Sequence, residues 1–237
     1  MKPQVPDLSG KSVAIVAMGK SHLEFTLAKT HSQPIDEVWA INAMGGVIFH
    51  DRMFMLDPAS RFLDGEEAGS QTGLMREVLR RHPGPIYTCE LDKRCQGLVE
   101  FPLEDVVNAV GTWYINNTVA FAIAFAIAAK VKRMMIYGVD FSYKGNVHFA
   151  EAGRACCEFL IAKAIERNIE VGIANSSGLM DTNVPPNEKL YGYHRLADQP
   201  VFSMEDGKFK QYKYSEVRDI IKAQEDALSS PPEAVRS

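Results

Sequence analysis

Apolar residues in this chain gather in short unbroken runs instead of alternating with polar ones. Such runs occupy residues 13–18 (VAIVAM), 37–41 (EVWAI), 52–56 (RMFML), 85–88 (PIYT), 134–137 (MMIY) and 169–174 (IEVGIA). A strand without polar alternation is buried on both faces, as in a parallel sheet. Helical stretches lie between and after the runs: GKSHLEFTLAKTH following the first, then 72–81, 119–129, 150–167 and 214–228. This alternation of β and α elements predicts an α/β fold. The expected architecture is a single doubly wound, mostly parallel, Rossmann-like sheet with right-handed crossovers.

The stretch 119–129 (VAFAIAFAIAA) is apolar on every side. A helix with no polar face belongs in the interior, so Phe121 and Phe125 are expected among its core contacts. Asn116, Asn117 and Thr118 offer its N-cap, and Lys132 and Arg133 are expected to close it. The stretch 150–167 reads as an amphipathic helix. There is no internal repeat. After Asn175 the pattern dissolves into SSGLMDTNVPPNEKLYGYHRL. Long irregular segments of this kind often serve as lids or binding loops. Residues 1–228 are thus expected to form one α/β nucleotide-binding domain, with 175–213 as lid or binding segment. Residues 229–237 are expected to be a frayed tail.

Composition narrows the classes further. The 237 residues are 46% hydrophobic and 24% charged, ordinary values for a globular protein. A net charge of -4 gives no global attraction to nucleic acid or anionic membrane, although a local basic patch remains compatible with it. The run 119–129 is shorter than the roughly 20 residues a membrane span requires. The opening MKPQVPDLSG lacks the apolar core of a signal peptide. Cys89, Cys95, Cys156 and Cys157 form neither a disulfide framework nor a zinc-site spacing. The adjacent Cys156 and Cys157 fall in a predicted helix and read as buried thiols. The expected setting is a reducing cytoplasm, with no membrane partner.

Four loops follow predicted strands, and in open α/β sheets ligands bind at that carboxyl edge. The first, Met18-Gly19-Lys20-Ser21-His22, is a small glycine turn opening a helix. Its backbone N–H groups can face an anion, and Lys20 can add a charge. It is neither a P-loop nor a GxGxxG turn. An ordinary βα turn with Ser21 as N-cap reads the same way. The second loop starts at Asn42, whose amide can both donate and accept toward a base or ribose. Gly45 and Gly46 there allow close backbone approach, though a plain turn also favours Asn and Gly. The third begins at Asp57-Pro58, where Asp57 can bind a ribose hydroxyl or a metal, and a turn is the better reading. The fourth carries Asp140, Tyr143 and His148. A histidine near a carboxylate can act as general base toward a hydroxyl. Capping and salt bridging are the competing roles for these two residues.

The order strand-MGKS, EVWAIN, RMFMLDP, NNT-helix and MMIYGVDFSY resembles a Rossmann-type family with two branches. One holds the bacterial CMP-sialic-acid-dependent sialyltransferases. The other holds motility-associated flagellin glycosylation factors and archaeal 6-hydroxymethylpterin pyrophosphokinases. The resemblance covers about residues 13–174 and rests on 18–21, Asn42, 116–118 and Gly138-Val139-Asp140-Phe141. It departs from the family pattern at Lys20, where proline is usual, and at Asn116-Asn117-Thr118, where a Ser-Gly pair is usual. The chain also looks similar to bacteriophage accessory enzymes that decorate nucleobases or surface sugars.

The resemblance implies a transferase that takes a nucleotide-activated sugar donor as co-substrate and moves a sugar-like group to a hydroxyl. Gly19, Lys20 and Ser21 would face the donor phosphates, and Asn42 its base or ribose. Asn116, Asn117 and Thr118 would hydrogen-bond the donor at a helix start, which favours negative charge. Asp140 would hold ribose or orient the base His148. Tyr191 and Tyr193, or His194 and Arg195, would close over the leaving phosphate, where charge develops. No DxD-like carboxylate pair demands a metal. Residues 207–214 (GKFKQYKY) interleave Lys208, Lys210 and Lys213 with aromatics. That pattern suits a DNA strand bearing a hydroxymethylated base, and suits a solvated surface strand better. An ATP-dependent pterin-type pyrophosphokinase and a non-catalytic nucleotide-binding module are the alternative functions.

Overall fold

Strand β1 (Ser12–Val16) lies inside the sheet, and all five of its residues are buried. In this computed structural model, residues 4–31, 34–65, 69–142, 145–185 and 188–229 are described. The chain divides into two compact units, Met1–Asn183 and Val184–Ser237. The boundary falls inside the segment expected to act as a lid.

In the first unit, α1 (Leu23–His31), β2 (Glu37–Ile41), β3 (Arg52–Phe54), α2 (Ser60–Leu63) and α3 (Thr72–Arg81) follow β1. Next come β4 (Ile86–Thr88), β5 (Leu98–Glu100), α4 (Leu103–Val110), α5 (Thr118–Ala128), β6 (Arg133–Tyr137), α6 (Val147–Glu166) and β7 (Glu170–Ile173). The seven strands lie in the order β5-β4-β3-β2-β1-β6-β7. Every pairing is parallel. The expected doubly wound, Rossmann-like sheet is therefore present. The chain lays strands outward from β1 to β5, then crosses back to place β6 on the other side of β1. The winding reverses between β1 and β6, which are in register from Ser12↔Arg133 to Val16↔Tyr137.

Successive side chains of a strand point to opposite faces. Val13 and Ile15 accordingly join one apolar cluster, with Trp39 and Ile41. Ala14 and Val16 join another, with Val38 and Ala40. Helix α5 covers the first face, and its Phe125 is fully buried. The Phe125 ring meets Tyr87 at 4.9 Å, Phe54 at 5.4 Å and Trp39 at 5.6 Å between centroids. Phe121 is half-buried and packs on Phe101 at 5.1 Å.

The end of α5 differs from the expectation. Lys132 and Arg133 do not close it. Lys130, at φ 58°, adopts the left-handed conformation, with Lys130 N–H donating to Ile127 O at 3.1 Å and Val131 N–H to Ala126 O at 3.2 Å. This is a Schellman ending built on lysine instead of glycine. Lys132 N–H then donates to Lys11 O at 2.8 Å, and Arg133 opens β6. Between 88 and 111 the apolar runs announce nothing, yet β5 and α4 lie there. β5 is a three-residue edge strand with no buried side chain, so it carries no apolar run. Among the described residues, no helix is long and apolar enough to cross a membrane.

The second unit adds regular structure to the segment 175–213 expected as lid or binding segment. It contains β8 (Pro200–Glu205) paired antiparallel with β9 (Lys208–Lys213), followed by α7 (Tyr214–Ser229). The hairpin turns at Asp206-Gly207, both at positive φ, a two-residue connection that suits the twist of antiparallel strands. The GKFKQYKY segment is thus a surface strand. Its Lys210 pairs with Glu205 at 2.6 Å, and Tyr212 also hydrogen-bonds Glu205.

Candidate functional site at the sheet switch point

A cleft of about 840 Å³ opens at the carboxyl edge of the sheet, where the winding reverses. Most of its lining comes from five chain segments: Met18–Lys20 after β1, Asn42 after β2, Asp57 and Arg61 after β3, residues 115–119 at the start of α5, and residues 138–142 after β6; Gln71 and Phe149 add to it from two others. Gly19, Lys20, Asn42, Asn116, Asn117, Thr118 and Asp140, all named from sequence, therefore share one cavity.

Ser21 does not share it. Its side chain is 1% exposed and lies between the ends of β1 and β6. Gly138 N–H donates to Ser21 Oγ at 2.9 Å, Ser21 N–H donates to Asp140 Oδ2 at 3.0 Å, and Ser21 Oγ donates to Asp140 Oδ1. Gly19 N–H donates to Gly138 O at 2.8 Å. Ser21 is thus neither an N-cap nor a phosphate contact. It clasps the two loops together, and both Asp140 oxygens receive its bonds. The clasp needs two glycines. A Cβ on Gly19 would lie 2.6 Å from Asp140 Oδ2, and one on Gly138, at φ 69°, would lie 2.0 Å from Ala17 O. Neither gap admits a side chain.

The neighbouring wall is tied in the same way. Burial works to raise the Glu24 carboxyl, but bonds from the Ser176 hydroxyl and the Ser176 and Asn175 N–H groups outweigh it. They hold Glu24 below the usual carboxylate range. The two N–H bonds measure 2.8 Å each and join α1 to the loop after β7.

Asn117 caps α5, its Oδ1 accepting from Ala120 N–H at 3.0 Å. Its Nδ2 donates to Asn116 Oδ1 at 2.8 Å and Gly153 O at 3.2 Å, and Asn116 Nδ2 donates to Ala152 O at 3.0 Å. Both amides are thereby pinned to α6. Cys157 reaches Asn117 Oδ1 from beneath, and burial pushes its thiol up. What the start of α5 offers the cleft is less these amides than the positive end of its dipole, at Thr118 and Val119.

Asn42 sits at φ 50°, and its buried Oδ1 has no hydrogen-bond partner among the described residues. Lys20 is exposed at the rim. Arg61, which sequence reading missed, pairs with Asp57 across one helical turn. The i,i+4 spacing of Asp57 and Arg61 after a strand was the available signal. The lining thus combines two carboxylates, two cations and one helix start.

His148 stands apart from this set. It is the second residue of α6, exposed, and outside the cleft lining, whereas its neighbour Phe149 is within it. Asn146 takes the N-cap, accepting from Phe149 N–H at 3.3 Å. The expected His148–Asp140 pairing is not formed among the described residues, because the Asp140 carboxylate is turned to Ser21. Tyr143 lies outside the described residues. Tyr191 and Tyr193 belong to the second unit and are 85% and 58% exposed. There the Arg195 guanidinium lies over the Tyr191 ring at 5.0 Å. All four cysteines are free thiols, with Cys95, Cys156 and Cys157 buried. The described residues hold no group of three or more His, Cys, Asp or Glu side chains placed to bind a metal ion. Neither a protein-family model nor a curated protein matches the chain.

Proposed function

We propose that the chain is a transferase that binds a nucleotide-activated sugar donor in the switch-point cleft and passes a sugar-like group to a hydroxyl. The observation that carries this reading is convergence: donor-binding candidates from separate loops line one cavity at the reversal of winding. That position is where open α/β sheets place nucleotides. Lys20, at the rim beside Gly19, and the start of α5 would meet the donor phosphates, since a cation and the positive end of a helix dipole favour anions. Asn42 would face the base or ribose, its orphaned Oδ1 favouring a ligand that brings a donor group. Asp140, held by Ser21, would accept from a sugar hydroxyl. His148, beside Phe149 at the cleft wall, would take the acceptor proton. The roles of Tyr191 and Tyr193 rest on the family resemblance alone. A hydroxymethylated base in phage DNA is one acceptor of the required kind.

A non-catalytic nucleotide-binding module is the second reading. It is favoured by the absence of a His148–Asp140 contact among the described residues. A thermal-shift panel of nucleotides and nucleotide sugars, followed by mass spectrometry, separates the readings. A true donor at 100 times its Kd adds about 2.7 kcal/mol. At roughly 2–4 °C per kcal/mol that raises Tm by about 5–10 °C. If product forms, His148→Ala is expected to lower turnover roughly 10²- to 10⁴-fold with the donor-induced shift retained. A shift without product leaves the binding module. Magnesium-dependent consumption of ATP points to a pyrophosphokinase. No shift with any nucleotide removes all three.

A further inference from the structure

Two histidines meet at the amino edge of the sheet, opposite the cleft. His50 precedes β3 and His82 follows α3, and their Nε2 atoms are 2.8 Å apart in rings 14° from parallel. Backbone groups determine where each proton sits. Gly84 N–H points at His82 Nδ1 at 2.9 Å. A backbone N–H can only donate, so His82 Nδ1 is bare and the proton is on Nε2. His50 Nδ1 faces Ile48 O at 2.8 Å. A carbonyl can only accept, so His50 carries its proton on Nδ1 and leaves Nε2 bare. His82 Nε2–H therefore donates to His50 Nε2. The result is a one-directional relay from Gly84 N–H through both rings to Ile48 O.

Every ring nitrogen in this relay is occupied. An added proton has two places to go, His82 Nδ1 or His50 Nε2, and each sets two N–H groups head to head. We infer that His50 and His82 form a proton-sensitive latch that is closed when both rings are neutral and opened by a single proton. It joins the β2–β3 connection to the α3–β4 connection. Burial, and His50 beside it, hold His82 below the ordinary histidine value. The neighbouring charges are engaged elsewhere. Asp51 accepts from Val38 N–H at 2.7 Å, Arg52 pairs with Glu37 at 2.7 Å, and Arg81 pairs with Glu77 at 2.8 Å. Among the described residues no carboxylate pairs with either imidazole to favour its cation.

The latch holds more than its own loops. The β2–β3 connection begins at Asn42 on the cleft wall. It packs on α3, where a Cβ on Gly46 would lie 2.8 Å from Leu74 and 3.0 Å from Val78. Opening the latch frees the far end of a segment whose near end is in the cleft. The same geometry disfavours a metal ion between the rings. Chelation needs a bare His82 Nε2, which moves its proton to Nδ1, where Gly84 N–H already points.

The test does not depend on any ligand of the cleft. Long-range ¹H–¹⁵N NMR of the full chain across pH 8 to 5 reads both tautomers and both titrations. The expected result is an Nε2–H tautomer at His82 and an Nδ1–H tautomer at His50, with His82 titrating below its ordinary value of 6.5. Amide exchange over 42–50 and 82–86, corrected for intrinsic rate, should rise over the same pH range. The double variant His50→Gln, His82→Gln should lose less Tm between pH 7.5 and 5.5 than the wild type, by roughly 2–4 °C. Identical tautomers, a His82 titration at or above 6.5, or pH-insensitive exchange overturns the latch. So does a shift of both rings on adding one equivalent of Zn²⁺ at pH 7.5, which makes the pair a metal site. Should the double variant fail to fold, the wild-type spectra decide.

Discussion

At the scale of single residues, Ser21 is the position whose role the structure changes most. From sequence it is a helix cap or a phosphate contact. In the fold it is a buried clasp that accepts from Gly138 N–H and donates to Asp140. Its neighbours Gly19 and Lys20 do line the cleft. A one-residue step separates the two roles because a tight turn points successive side chains in different directions. Ser21→Ala leaves a buried N–H without its acceptor, which costs about 1–3 kcal/mol. Urea unfolding should show that loss, and an unchanged midpoint would mean that Asp140 needs no clasp. Glu24 supplies a pH test. Its folded-state carboxyl is held below the ordinary value of 4.5. A depressed carboxyl stabilises above its unfolded pKa, and that stability fades as pH falls through the folded value. Stability measured from pH 6 to 3 should therefore decline on the acid side, and Glu24→Gln should decline less steeply. Parallel curves for the two proteins would remove Glu24 from the acid limb.

At the scale of elements, the long apolar signals are the ones that survive folding. Helix α3 and strand β2 match their expected bounds, 72–81 and 37–41, because burial dictates their side chains at every turn or pleat. α5 was legible for the same reason, being apolar all round. Phe125→Ala should cost about 3–5 kcal/mol, since the ring contacts Trp39, Phe54 and Tyr87 in a core too dense to collapse. Denaturant titration measures this, and a loss below about 1 kcal/mol would contradict the packing described. β5 was illegible because none of its three residues is buried. β9 interleaves lysines with aromatics, a pattern that suits a solvated surface strand better than a binding strip, and an exposed strand is what forms there. The Asp206-Gly207 pair is the turn signal that joins it to β8, and it lies beyond the irregular stretch that ends at Leu196.

At the scale of the whole molecule, the fold class follows from a property that each strand carries by itself. A run that is apolar on both faces has to be covered on both sides, and helices between such runs supply the cover. Sequence alone therefore determined a parallel sheet, its approximate strands, the buried helix and the edge at which a ligand is to be sought. The order of strands was not encoded locally. Nothing in MMIY says that it pairs with VAIVA instead of extending the row beyond β5, and that choice creates the switch point. The tertiary structure also decided which loop residues share the cleft. Lys20, Asn42, Arg61 and Asp140 are up to 120 positions apart (140 − 20) in the sequence and line one cavity. His148, only eight positions (148 − 140) from Asp140, does not pair with it. The His50–His82 pair is of the same kind, since its two protons are placed by backbone groups that only the folded chain brings to the rings. Burial is a free energy that each segment reports in its own composition, whereas hydrogen-bond geometry belongs to pairs of groups, and pairs exist only after the chain has folded.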